Sequence, residues 1–183
     1  TILFTRMLSG PFDYTPGVLD LLLNDNDEGR TLNRVHSTLA GELAIYVIIY
    51  SPLHMAADLI HNYENYPIPF QFIKDVPTDW EYTKVLAGEI GKHATVVRKD
   101  RNSDDWYLGA VTNEEAREYV VNLDFLESGK EYEAIIYSDG PAADYEIRPH
   151  LLLKYGQIVN SSATLKISMA RGGGMAVRFK ARN

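Results

Sequence analysis

The chain has no cysteine in its 183 residues. Disulfides, thiolate metal ligands and a cysteine nucleophile are therefore excluded. The same absence does not fix a compartment, since bacterial periplasmic proteins often lack the residue too. Long apolar runs are missing as well: the longest candidate, residues 43–50, falls far short of the roughly 18 residues a membrane span requires. There is no basic excess, because 18 Lys and Arg face 25 Asp and Glu for a net charge of −7. Nonspecific nucleic-acid binding is disfavoured, as nothing is in surplus to neutralise phosphates. The densest basic stretch, Arg98-Lys99-Asp100-Arg101, is interleaved with acid and reads as a solvated hairpin end. The first residues, Thr1 to Arg6, lack the basic-then-apolar order of a signal peptide.

Apolar and aromatic residues make up 45% of the chain, with 12 tyrosines, enough for a core rich in strands. Up to about Val76 the periodicity is helical. Leu32, Val35, Leu39, Leu43, Tyr46 or Val47, and Tyr50 recur at the spacing of one helix face. Asn33 or Thr31 is the candidate cap. From Ala44 to Tyr50 no polar face remains apart from tyrosine hydroxyls, so this half should be covered on both sides. The helix stops at Ser51-Pro52, and residues 53–58 continue as a short apolar strand ending in Asp58. Helix, tight turn, buried strand and terminal acid form the pattern of one step in a parallel α/β barrel. A complete barrel needs roughly 250 residues, so the sequence reads as the tail of a larger enzyme. Residues 67–75, with Phe70, Phe72 and Ile73 as the buried side, suggest a second helix bracketed by Pro67, Pro69 and Pro77.

After Trp80 the period becomes two. Strands are expected over 83–90, 93–99, 106–111, 118–125, 131–137, 151–155, 163–169 and 175–180, separated by Gly-, Asn-, Asp- and Ser-rich turns. Short strands at this spacing argue for an antiparallel β-sandwich. The expected division is 1–76, an incomplete C-terminal part of a (β/α)8 barrel, and 77–183, the sandwich, the two abutting tightly without a linker.

Asp58 is a ligand candidate, because barrel active sites lie at strand carboxyl ends; its bland reading is a cap for the following turn. His54 and Ala56 would share its face, with His54 read as a hydrogen-bonded core residue. The stiff segment from Gly10 to Gly17, bearing Phe12, Asp13 and Tyr14, would either wall a pocket or terminate an element. Metal motifs fail. Asp100, Asn102 and Asp104 match the start of a calcium loop, but Asp105 replaces the required Gly and Val111 the bidentate Glu. A polar hairpin turn is the better reading. The acidic cluster Asn24 to Glu28 lacks the second half of any such loop. Gly172-Gly173-Gly174 precedes a strand, so it has no helix N-terminus to offer phosphate and reads as a bend. Trp80, Trp106 and Tyr107 are either sugar-stacking platforms or, the simpler reading, sandwich core or domain interface.

Four long strings then carry a resemblance. Phe4 to Gly17, Tyr50 to Asp58, Phe70 to Pro77 and Arg98 to Gly109, with Gly172 to Phe179 closing, resemble the C-terminal region of glycoside hydrolase family 97, end to end and in order. The resemblance implies a bacterial, exo-acting α-glucosidase or α-galactosidase, periplasmic or extracellular, with an N-terminal β-sandwich, a central barrel and a C-terminal β-domain. It also implies a calcium ion beside the catalytic site of the intact enzyme, none being expected on this chain alone. The family's catalytic carboxylates and calcium-binding glutamates fall before Thr1, so no catalytic or metal residue carries over. What remains for this chain is a sugar-pocket wall through Phe12, Asp13, Tyr14 and Asp58. Its partners would be an α-linked oligosaccharide and the N-terminal part of the same protein. The competing class is a non-catalytic carbohydrate-binding or structural β-module, which exposed Trp and Tyr would favour and buried Trp80 and Trp106 would oppose.

Overall fold

Period-two patterning from Trp80 onward produces eight antiparallel strands. A computed structural model describes residues 1–23 and 34–182. The strands are β1 (Trp80–Glu89), β2 (His93–Asp100), β3 (Trp106–Thr112), β4 (Arg117–Asn122), β5 (Tyr132–Asp139), β6 (Leu152–Val159), β7 (Thr164–Met169) and β8 (Gly174–Ala181). All eight expected strands are present. Six form one sheet in the order β1-β2-β3-β8-β5-β6, and β4 pairs only with β7. The sandwich is therefore lopsided, with two strands opposing six.

Side-chain alternation explains how one sheet serves two cores. Along β3, Trp106, Leu108 and Ala110 point to the β4–β7 pair and join Leu123, Leu165, Ile167 and Phe179 in one core. Tyr107 belongs instead to a second core on the opposite face, with Val96, Tyr137 and Ala176. That second face is covered by helix α1 (Leu39–Ile48), which lies across β3 and β8. Its close approach requires missing side chains: a Cβ on Gly109 would sit 2.5 Å from the Ala44 carbonyl oxygen.

Helix α1 begins later than a cap at Thr31 or Asn33 implies. Thr38 is its N-cap, accepting from the Gly41 amide at 3.1 Å. The cap candidates Thr31 and Asn33, with Leu32 and the cluster Asn24 to Glu28, lie outside the described residues. Every residue of α1 except Ile45 is buried, which answers the expectation that an all-apolar helix is covered on both sides. At its far end Arg98, only 7% exposed, donates from Nε to the Val47 carbonyl (2.6 Å) and from Nη2 to that of Ile48 (3.2 Å). A cation thus meets the negative end of the helix dipole. Burial pulls this guanidinium down to about 10. At the near end the Asp139 carboxylate accepts from Thr38 Oγ1 and from the amides of Ala170 and Gly174. Gly173 passes so close to that carboxylate that no side chain fits there. The triple glycine is a turn, as expected, with Gly172 at φ +62°.

Two short 3-10 helices, Ile2–Phe4 and Arg6–Ser9, precede α1, and two further α-helices follow it: α2 (Ile60–Asn65), which the sequence does not suggest, and α3 (Pro67–Asp75), which falls where expected. Phe72 of α3 is buried against Tyr107 and Tyr137, while Phe70 and Ile73 are half-buried. The strand expected over 53–58 is not formed. Those residues are extended or bent without a ladder, and Leu53 is 66% exposed. A buried strand needs hydrogen-bonded neighbours on its edges, and the described residues supply a partial one only. No helix among them is long and apolar enough to cross a membrane.

Candidate functional site

The residues singled out for a pocket wall lie on two segments joined through α1. Phe12 N donates to the Tyr50 carbonyl at 2.9 Å, and Ala57 N donates to the Pro16 carbonyl at 3.0 Å. Leu19 N and Asp20 N reach Asp58 Oδ2 at 2.6 and 2.9 Å. Residue numbers rise together along both segments, so 12–20 and 50–58 run side by side in the same direction. Parallel neighbours require a crossover connection, and α1 lies within theirs.

Within the first segment exposure alternates. Phe12 and Tyr14 turn toward α1 and pack at 6.0 Å from each other, with the Arg6 guanidinium 5.4 Å above the Phe12 ring. Asp13 turns the opposite way and is exposed. The three residues do not share a face: two anchor the segment and one faces outward.

Asp58 is engaged on both oxygens. Oδ1 accepts from Leu59 N (2.8 Å) and Asn62 Nδ2 (2.6 Å), while Oδ2 takes the two amides of Leu19 and Asp20. Four donors fill the roughly four lone-pair sites of a carboxylate. Burial alone would raise its pKa, but hydrogen bonds from Asn62, Asp20, Leu59 and Leu19 outweigh it and hold the group below its ordinary value. Its own amide donates to Tyr63 Oη (2.9 Å), which donates in turn to the Gly17 carbonyl (2.9 Å). An isosteric Asn at 58, which by size alone would cost little melting temperature, would set its amide NH2 against two donors.

The reading also missed Glu42, the one charge within α1. It is 5% exposed and pushed up to about 7 by burial, against the opposing hydrogen bonds from Ser37 and the Gly17 backbone. Burial and this carboxylate together raise Tyr14 to about 12. Tyr46 donates to the Met55 carbonyl at 3.0 Å, and His54 packs edge-on to its ring at 5.1 Å. His54 is half-buried; neither ring nitrogen makes a well-formed hydrogen bond, and burial lowers its pKa against the opposing pull of the nearby Ile49 backbone. The available signal was an acid inside an otherwise apolar ten-residue helix.

Among the described residues no three His, Asp or Glu side chains gather closely enough to hold a metal ion. Both oxygens of Asp58 are occupied by donors, which leaves it unsuited to a calcium cage. The 100–105 hairpin is a polar turn as expected: Asp100 accepts from the Asn102 amide and Ser103 Oγ, and Asp104 pairs with Lys130. Trp80 and Trp106 are each 7% exposed.

Comparison with known proteins agrees in several ways. A family model described as glycosyl-hydrolase 97 C-terminal, oligomerisation, matches residues 79–180. A retaining alpha-galactosidase of Bacteroides thetaiotaomicron is 34% identical over 183 residues, covering 97% of this chain and 26% of that protein. A glycoside hydrolase family 97 enzyme from Pseudoalteromonas sp. strain K8, solved in complex with panose, superposes with a TM-score of 0.94 at 47% identity. The match covers 100% of this chain and 28% of that one, and the same enzyme is solved in complex with acarbose. A beta-arabinopyranosidase shares the fold, with a TM-score of 0.74 at 22% identity over 94% of this chain and 26% of that one. The chain spans about a quarter of the length of these relatives.

Proposed function

The chain belongs to the glycosyl-hydrolase 97 C-terminal family, and from that premise we propose that it is the carboxyl-terminal part of an exo-acting α-glycosidase. The longer protein would hydrolyse terminal α-linked sugars, α-galactosides or α-glucosides. One carboxylic acid would protonate the glycosidic oxygen while a second carboxylate activates water or attacks the sugar carbon. Both belong to residues preceding Thr1, as does the calcium site.

The observation that carries this reading is the pair of parallel segments, 12–20 and 50–58, with α1 between them. Two such segments with a helical crossover are what the last steps of a (β/α)8 barrel require, and preceding strands would supply the ladder that 53–58 lacks. On this reading residues 1–76 close the barrel and 77–183 form the sandwich behind it. Asp13 faces the sugar, Phe12 and Tyr14 hold its segment against α1, and Asp58 pins the two segment ends together. The protein would act in the periplasm or outside the cell.

Buried Trp80 and Trp106 leave those rings unavailable as stacking platforms, which weighs against a carbohydrate-binding module. The decisive assay compares this chain with the full-length protein on aryl α-galactosides and α-glucosides. The full-length protein should turn one of them over in a chelator-sensitive way, and the chain alone should not. Turnover by the isolated chain above a heat-killed control would refute the assignment of the carboxylates to preceding residues.

A further inference from the structure

The two parallel segments separate at their carboxyl ends. Backbone bonds join them from Phe12 N to the Tyr50 carbonyl and from Ala57 N to the Pro16 carbonyl. One residue further along, the Asp58 amide and the Gly17 carbonyl do not meet. The Tyr63 hydroxyl stands between them, accepting from Asp58 N and donating to the Gly17 carbonyl, each at 2.9 Å. Two bonds in series keep these backbone groups farther apart than one direct bond of about 2.9–3.0 Å would. Beyond the hydroxyl, Leu19 N and Asp20 N turn back onto Asp58 Oδ2, so the segments part around a single oxygen atom and rejoin.

Backbone groups taken from water need partners, and a bound water could bridge an amide to a carbonyl in the same way. This oxygen differs in belonging to a ring that is held in place. Tyr63 comes from α2, is 8% exposed and packs with Leu19, Leu21 and Leu39. Phe70 of α3 stacks on its ring at 4.5 Å, with 27° between the planes. The preceding residue, Asn62, is tied to Asp58 Oδ1. On the other side, a side chain at Gly17, where φ is +92°, would run into the Tyr46 hydroxyl of α1. Gly17 thus lies between hydroxyls offered by two helices. Burial raises the Tyr63 hydroxyl above its ordinary pKa, so it remains a donor at neutral pH.

We propose that Tyr63 is a positioning residue for the sugar pocket, its hydroxyl acting as a wedge that sets the spacing of segments 12–20 and 50–58 at their carboxyl ends. The inference rests on the barrel reading of those segments, since a barrel binds its substrate at that end of its strands. Tyr63→Phe would keep the ring and its stacking but remove the oxygen. The Asp58 amide and the Gly17 carbonyl would then close into a direct bond or stand unpaired. Either outcome moves the pocket wall, and a misplacement of about 1 Å can cost on the order of a hundredfold. On the same reading the segments hold no reacting group, so the loss falls on substrate binding rather than on the chemical step.

The test is steady-state kinetics of the full-length protein on aryl α-galactosides and α-glucosides, with melting curves alongside. Tyr107→Phe is the control, because it removes another buried hydroxyl, bonded to the Asp75 carbonyl at 2.8 Å, from the sandwich. Both variants should melt lower than the wild type. At a temperature where all three are folded, Tyr63→Phe should raise KM about tenfold or more with kcat nearly kept, and Tyr107→Phe should change neither. A wild-type KM in Tyr63→Phe, or a rise shared by Tyr107→Phe, overturns the proposal. Amide hydrogen exchange of the wild type needs no variant to fold. The Asp58 amide should be protected, and exchange at the rate of an open loop means that the bridge is not held, which overturns the proposal as well. A wild type inactive on both sugars refutes the α-glycosidase reading itself, and this inference falls with it.

Discussion

Replacing Glu42 by Gln should make this protein more stable at alkaline pH and change little in acid. The wild-type carboxyl is pushed from 4.5 to about 7 in the folded state. Between those values the native state holds a proton that the unfolded chain releases, so wild-type stability must fall as pH rises through that window and level off above it. At 1.36 kcal/mol per unit, the loss is about 3 kcal/mol, an order-of-magnitude figure. Gln keeps an acceptor for Ser37 and the Gly17 amide and carries no charge to desolvate. It should therefore recover most of that loss above about pH 8 and almost none near pH 4.5. For a domain of this size the gain corresponds to a rise of roughly 6–12 °C in melting temperature at alkaline pH. Asp139, raised to about 6 by burial against its hydrogen bonds from Thr38, Ala170 and Gly174, has the same sign. A smaller acid-side slope should thus survive in the variant. Urea titrations of both proteins across the window measure the difference directly. If the wild type is flat from pH 4.5 to about 8, or if Gln destabilises equally at both ends, Glu42 is not a buried, proton-holding acid.

Arg98→Met should cost about 2–5 kcal/mol by urea unfolding, because two buried carbonyls of α1 lose their donors. Arg98→Lys should recover only part of it, since a single ammonium does not reproduce the planar fork. Gly109→Val should destabilise by more than about 3 kcal/mol or abolish folding, as its Cβ alone would meet the backbone of α1; circular dichroism and melting report it. Asp58→Asn should lower the melting temperature, at a cost of about 1–3 kcal/mol, because the new amide hydrogens face existing donors. An unchanged melt would mean that those four contacts are not held.

The eight strands were legible because alternation and Gly- or Asn-bearing turns are local signals, and so was α3, bracketed by prolines. Their division into six and two was not. Along β2 and β3 both faces are buried, one by β4–β7 and one by α1, so alternation of polarity disappears where the sheet is most central. Residues 53–58 carry the composition of a buried strand, but strand formation depends on partners that composition does not name. Asp58 stands out in the sequence as the acid closing a short apolar run, but its four donors come from residues up to 39 positions away. Arg98 looked like part of a solvated basic hairpin; its reach to α1, 51 residues back, is set by the packing of helix on sheet. Glu42 was visible as a charge among apolar neighbours and went unread.

The placement of α1 has a consequence for where this chain can be cut. The matched family region starts at residue 79, a sensible boundary in sequence. Yet Val96, Tyr107, Tyr137 and Ala176 of that region are kept from water by a helix that ends at Ile48. A segment beginning at 79 would carry a bare apolar face and an Arg98 with no carbonyls to meet. Recombination or truncation there would split a core, so changes at Gly109 and at Ala44 must be inherited together even though 64 other residues separate them in the sequence.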